Sequence, residues 1–163
     1  MKQATRKTRK TPVYGRRGVT LAELMIVVLI IGILSAATVP KFFDSVESFH
    51  VDAAAKRIKL DLEMGRRRAR SNSTSQSVEF DTSTSTYTLP NVPDLNHADT
   101  DYWVDLTRAP YSSVLAFVDF NGTETVTFDG YGVPDHAGTI EIEVGNYLQT
   151  LTVEATTGKV TIQ

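Results

Sequence analysis

Glu23 is the one ionisable residue in an otherwise apolar stretch that runs from Val19 to Val39. From Leu24 to Val39 there is no charge at all. A carboxylate carried to mid-bilayer costs about 2.5–3.5 kcal/mol, so its presence calls for a use. Two chemistries fit. Glu23 can sit at the membrane surface, near the positive N-terminal end of its own helix. Alternatively it is the anionic half of a pair that another molecule completes. In a low dielectric such a pair is directional, and the unpaired carboxylate is expensive.

Other constellations carry less. His50, His97 and His136 are widely spaced, and none pairs with another at metal-ligand spacing; each reads as a solvated histidine. Asp119-Phe-Asn121-Gly122-Thr-Glu124 is rich in oxygen donors, but an EF-hand loop needs glycine at its sixth position and glutamate at its twelfth. Glu124 and Gly130 stand there, so a turn is expected. No zinc pattern, phosphate-cradling glycine loop or serine beside a His-Asp pair occurs in the sequence. The expectation is a non-enzymatic protein with no catalytic, cofactor-binding or metal-ligating set.

Composition says what must position Glu23. The chain has 163 residues and no cysteine, so a single soluble domain must hold together by core packing alone. Charge is segregated. Residues 1–18 hold seven basic side chains and no acid, whereas the remainder holds ten basic against nineteen acidic. A basic flank beside a spanning segment stays in the cytoplasm, which puts the rest on the far side. The net acidity of that part argues against nucleic acid as its main partner.

The stretch from Val19 to Val39 would rise roughly 30 Å as a helix, the thickness of a bilayer core. Beyond Pro40 the pattern turns amphipathic: Phe43, Val46, Phe49, Ala53, Ile58 and Leu62 alternate with Asp44, Glu47, Asp52, Lys56, Lys59 and Glu63. A helix over about 20–70 is expected, its second half packing this apolar set on a head. Arg66, Arg67, Arg68 and Arg70 suit a solvated helix end, and Ser71-Asn72-Ser73 suits its stop. Eight alternating runs follow: 77–80, 86–89, 102–106, 114–120, 125–128, 139–144, 147–153 and 159–162. Asn121-Gly122, Asp129-Gly130, Gly145-Asn146 and Thr157-Gly158 supply turns. Residues 90–101 form the longest expected loop. Tyr102, Trp103, Tyr111, Phe117, Phe120 and Phe128 are expected mostly in the core.

Three readings compete for the apolar run. An ordinary signal peptide would be cut after Ala37, with Ser35 and Ala37 at the small-residue positions. A plain signal anchor would never be cut. The third reading uses Arg16-Arg17-Gly18 followed by Val19-Thr20-Leu21-Ala22-Glu23-Leu24. This resembles the prepilin signal of type IV pilins and type II secretion pseudopilins, with Val19 where phenylalanine is usual and Ala22 for a larger aliphatic residue. The resemblance implies cleavage after Gly18 on the cytoplasmic side, methylation of the new Val19 amine, and retention of the apolar run. It places Pro40 at a helix-kinking position. It also implies that Glu23, four residues after Val19 on the same helix face, pairs with the Val19 amine of a neighbouring subunit, Leu24 lying beside it in the assembly segment.

Further along, Ala69-Arg70-Ser71, Phe128-Asp129-Gly130-Tyr131-Gly132, Gly138-Thr139-Ile140 and Thr157-Gly158-Lys159-Val160 are similar to the GspH/FimT group of minor pseudopilins and minor pilins. The expected fold is therefore α+β and type IV pilin-like, a long helix packed on a small antiparallel head. The divisions are a cleaved leader (1–18), a transmembrane and assembly helix (19–40), an amphipathic helix (41–72) and a periplasmic β-rich head (73–163). The preferred expectation is a minor pseudopilin of a type II secretion system. The alternatives are a minor pilin of a type IV pilus, in adhesion or DNA uptake, and a non-polymerising membrane-anchored binding module. The implied partners are other pilins or pseudopilins, the prepilin peptidase and methylase, the inner-membrane assembly platform and the lipid bilayer.

Overall fold

The computed structural model describes residues 18–94 and 99–163, apart from the side chains of Ala37 and Pro40. Most of the expected leader, and His97, lie outside these residues. The chain divides into two compact units, Met1–Pro40 and Lys41–Gln163. One helix, α1 (Leu21–Asn72), contributes to both.

In the first unit α1 starts where its sequence provides a cap. The Thr20 hydroxyl accepts the Glu23 N–H at 3.2 Å, and the Thr20 carbonyl accepts the Leu24 N–H at 3.1 Å. Threonine at this position satisfies an amide that the first helical turn would otherwise leave open. The large apolar side chains from Val19 to Val39 stand exposed. The best window of the helix has a mean hydropathy of 2.4 with none of it buried, and is long and apolar enough to cross a membrane. The helical assignment continues through Pro40, which has no N–H to give to the Ala36 carbonyl.

In the second unit the remainder of α1 packs on two four-stranded antiparallel sheets. The strands are β1 (Gln76–Asp81), β2 (Thr86–Pro93), β3 (Asp101–Asp105), β4 (Val114–Asp119), β5 (Thr125–Phe128), β6 (Gly138–Val144), β7 (Tyr147–Val153) and β8 (Val160–Ile162). One sheet has the order β3-β2-β1-β5 and the other β4-β6-β7-β8. The core draws on α1 and both sheets: Ile58, Leu62, Val78, Leu89, Phe120, Phe128, Ile140, Ile142 and Leu151 are fully enclosed.

Four expectations are corrected. The helix buries Val51, Ala54, Ala55, Ile58, Leu62 and Ala69, while Phe43 and Phe49 are 60% and 66% exposed. Phe49 and Ile58 are nine residues apart, two and a half turns, so they cannot share a face. The buried stripe is the one of small and aliphatic residues, which lets the helix approach the sheet. A Cβ on Gly65 would already meet Val78 at 3.3 Å. Second, β2 continues through Pro90 to Pro93, with a register shift after Leu89. Proline is tolerated at such an irregularity because the ladder there requires no N–H. Gln76 donates to the Pro90 carbonyl at 2.7 Å, and the Asp101 carboxylate accepts the Asn91 N–H at 2.9 Å. Third, Trp103 and Phe117 face outward, 45% and 49% exposed. Trp103 alternates with buried Tyr102 and Val104, and an irregularity between Leu115 and Phe117 turns Phe117 out.

The fourth concerns the helix end. Ser73 adopts a left-handed φ of 52°, and the Thr74 N–H reaches the Ala69 carbonyl at 3.2 Å, a Schellman closure at the expected stop. The arginines before it are not all solvated. Arg68 donates to the Asn91 carbonyl at 3.0 Å. Arg66 and Arg70 lay their stems against Gly132, where a Cβ would come within 2.6 Å of the Arg70 Cδ. Gly132 has a φ of 79°, so conformation and close approach both demand glycine there.

Candidate assembly site

Gly18, Val19, Glu23 and Leu24 fall within one short segment at the start of α1. Val19 is 74% exposed and Leu24 60%. A Cβ on Gly18 would meet nothing within 4 Å, and its φ lies outside the left-handed range. Neither packing against the described residues nor a left-handed backbone therefore requires glycine at 18. Thr20 and Glu23 stand at capping-box spacing, yet only the threonine half is made. Among the described residues the Glu23 carboxylate has no ion pair or hydrogen-bond partner, although its own amide is capped. The geometry thus presents an anion on the first helical turn, four residues after Val19, with apolar neighbours and no partner among the described residues.

A second polar cluster lies in the head, and sequence reading missed it. Asp61 is buried on α1. Its Oδ2 accepts the Tyr87 hydroxyl at 2.5 Å, the Tyr102 hydroxyl at 2.8 Å and the Arg57 Nε at 3.0 Å. Arg57 also donates to the Tyr102 hydroxyl and lies 5.7 Å from the centre of its ring. The cluster ties the helix to β2 and β3. A signal was present: Arg57 and Asp61 are four apart on a helix, flanked by Ile58 and Leu62, which draw the acid inward. Burial, then the Asp61 charge and hydrogen bond, pushes the Tyr87 hydroxyl well above its ordinary range. Burial, then the bond to Asp61 and its charge, pushes Tyr102 up to about 12. Burial works against the charge on Arg57, but Asp61 and Tyr102 outweigh it and raise its pKa.

These shifts set a pH dependence. Both tyrosines must be protonated to donate to Asp61. Unfolded tyrosine ionises near about 10, and here the folded values are higher. The network's contribution is therefore complete below pH about 10 and is lost as pH rises through the folded values. The head should lose thermal stability steeply above pH about 10, and a Tyr87→Phe/Tyr102→Phe variant should lose it less steeply. Parallel slopes for the two proteins in unfolding scans from neutral to alkaline pH would rule the network out as the cause.

The remaining candidates within the described residues lie as follows. Gly122 donates to the Asp119 carboxylate at 2.7 Å, and Glu124 accepts from the Thr82 N–H and hydroxyl, so the oxygen-rich segment is a turn locked to the neighbouring loop. His50 packs near the Phe49 ring, and His136 lies 3.8 Å from Asp135.

The class these features define is a helix-led α+β protein with a type IV pilin-like fold. Residues 14–39 match the model of the prokaryotic N-terminal methylation motif. The fold is similar to the crystal structure of the type IV minor pilin FimU of Pseudomonas aeruginosa (strain PAO1) in two crystal forms. In one, the identity is 16% over 72% of this chain and 90% of that one, with a TM-score of 0.54. In the other, it is 14% over 69% and 91%, with a TM-score of 0.51. No curated protein matches the chain significantly. The chain thus carries a prokaryotic N-terminal methylation motif at the head of a type IV pilin-like fold. The motif implies processing by a prepilin peptidase and assembly with other pilins, and the apolar helix fits a membrane-anchored pilin.

Proposed function

We propose that the chain is a minor, non-catalytic subunit of a type IV pilin-like filament. It is inserted with its basic N-terminus in the cytoplasm and its head in the periplasm, cut after Gly18 and incorporated through the helix. The observation that carries this reading is the exposed Glu23, four residues after Val19, with no partner for its carboxylate among the described residues. Removal of residues 1–18 creates an α-amino group on the same helix face, and a staggered neighbour brings the two together. The division into leader, assembly helix, amphipathic helix and head belongs to this proposal.

Within it, the sequence resemblance to the GspH/FimT group is compatible with both the pseudopilus of a type II secretion system, the reading preferred from the sequence, and a type IV pilus. The likeness to a protein described as a type IV minor pilin supports the pilus as the second reading. A deletion strain separates them: the first predicts lost secretion with pili intact, the second the reverse.

Processing is tested directly. Intact-mass measurement of the membrane-extracted protein should show the loss of residues 1–18 and a methyl group on Val19. Gly18→Leu, which the open space around Gly18 allows without strain, should abolish the cut and leave the fold unchanged. A mature start at Thr38 would instead mark an ordinary signal peptide.

A further inference from the structure

Trp103 is the only tryptophan of the chain, and several interactions hold it at the surface. It lies on β3, and nearly half of it is exposed. Asp105 follows on the same face of the strand. Its Oδ1 accepts the Thr107 N–H at 2.9 Å and the Thr107 hydroxyl at 2.6 Å, and its Oδ2 faces the Arg108 Nε at 2.8 Å. The Arg108 carbonyl accepts the N–H groups of Tyr111 and Ser112, both at 3.0 Å. The guanidinium so fixed lies 5.9 Å from the centre of the Trp103 ring, within cation–π range. An exposed ring braced in this way loses little freedom when a ligand lands on it.

The ring begins a row. Thr88, Glu79 and Thr125 follow Trp103 in register on β2, β1 and β5. At about 4.8 Å per strand the row is about 14 Å long. It runs across the outer face of its sheet, because Tyr102, Tyr87, Val78 and Val126, which alternate with these residues, are buried. The side chains of Thr88, Glu79 and Thr125 make no hydrogen bond or ion pair among the described residues. The pairs to either side, Thr86 with Asp81 and Ser77 with Thr127, are polar too.

One aromatic plane followed by a hydroxyl, a carboxylate and a hydroxyl complements a ligand with an apolar C–H face and a rim of hydroxyls. A pyranose ring has both. Its C–H groups meet the electron-rich face of the indole, and its hydroxyls donate to a carboxylate and exchange bonds with threonine. Charge argues the same way. Arg108 already supplies a cation to Trp103 and repels a second, while Glu79 repels a polyanion. A protein partner would need an apolar centre to the contact, and beyond Trp103 the row has none.

We infer that the outer face of the β3-β2-β1-β5 sheet binds an uncharged, β-linked glycan. Trp103 stacks on one sugar ring, and Thr88, Glu79 and Thr125 take the hydroxyls of the rings beyond it. A β-linked chain keeps successive rings in an extended ribbon, which a row across four strands can follow. The site lies wholly in the head, so it does not depend on how the chain is processed or assembled.

The single tryptophan makes binding directly visible in the full chain, held in a detergent without a sugar headgroup. The probe is chitotetraose, a tetramer of β-linked N-acetylglucosamine. Its titration should give a saturable change in Trp103 emission with a Kd of about 1 mM or tighter, the same at low and high salt. Ligand-observed NMR reads the variants. Trp103→Ala and Glu79→Ala should each weaken binding about tenfold, and Trp103→Tyr should keep most of it. All three side chains removed are at the surface, so the midpoint of thermal unfolding should stay where it is. No saturation up to about 10 mM, or an affinity unmoved by Glu79→Ala and Trp103→Tyr alike with Trp103→Ala, overturns the site. Salt-sensitive binding of tetralysine in place of the sugar would make the face a cation site and overturn it equally.

Discussion

Replacing Glu23 with leucine is expected to leave a processed, membrane-resident protein that no longer enters its filament. A passive anchor gains nothing from a carboxylate in its apolar run, so its insertion would be unchanged or improved. For an assembling subunit the change removes the partner of a neighbour's α-amino group, and the uncompensated charge then belongs to the neighbour. Breaking one side of a buried pair is among the costlier single changes, and should lower incorporation on the order of a hundredfold. The helix should start where it does now, because the cap is the Thr20 hydroxyl on the Glu23 amide, not the Glu23 side chain. Cleavage after Gly18 should persist. Cross-linking to filament partners is the measurement. Undiminished cross-linking of the Glu23→Leu protein would remove this residue from assembly.

The other large effect belongs to the head. Asp61→Ala should destabilise it by about 3 kcal/mol, at the lower end for a broken buried ion pair. The alanine leaves two tyrosine hydroxyls without an acceptor and the guanidinium without its anion. The Arg57 side chain keeps 39% of its surface in water, which moderates the cost. For a unit of this size the midpoint of thermal unfolding should fall by roughly 10 °C. Asp61→Asn keeps an acceptor oxygen and loses the charge, so it should fall between. Unfolding of the full chain in detergent reads both. A shift of only a degree or two in Asp61→Ala would show that solvent replaces the network without loss.

How much of this was legible depends on whether the signal is local. The prepilin signal reads from consecutive residues: a glycine, an apolar helix start, an acid four residues after Val19. So do most strand positions, because alternation has a period of two and Gly145-Asn146 or Asn121-Gly122 marks each reversal. The Asp129-Gly130-Tyr131-Gly132 segment was visible as a pattern but not as a reason. Its glycines are required by the helix end and by the stems of Arg66 and Arg70, which arrive from some sixty residues earlier.

What the sequence determined by itself was the apolar N-terminal segment, its acid and the helix-then-strands order. These follow from composition and short-range spacing, which act before any tertiary contact forms. Only the tertiary structure decided which face of the second half of α1 is buried. Apolar residues lie on both sides, and packing against β1 and β2 selected the side with Ala54, Ala55, Gly65 and Ala69 because small residues permit close approach. The same choice turned Asp61 inward, where Tyr87 and Tyr102 from two strands could satisfy it, and left Phe49 and Leu60 outside. A buried polar group is stable only where distant donors converge on it, and that convergence is a property of the assembled sheets, not of any stretch of chain.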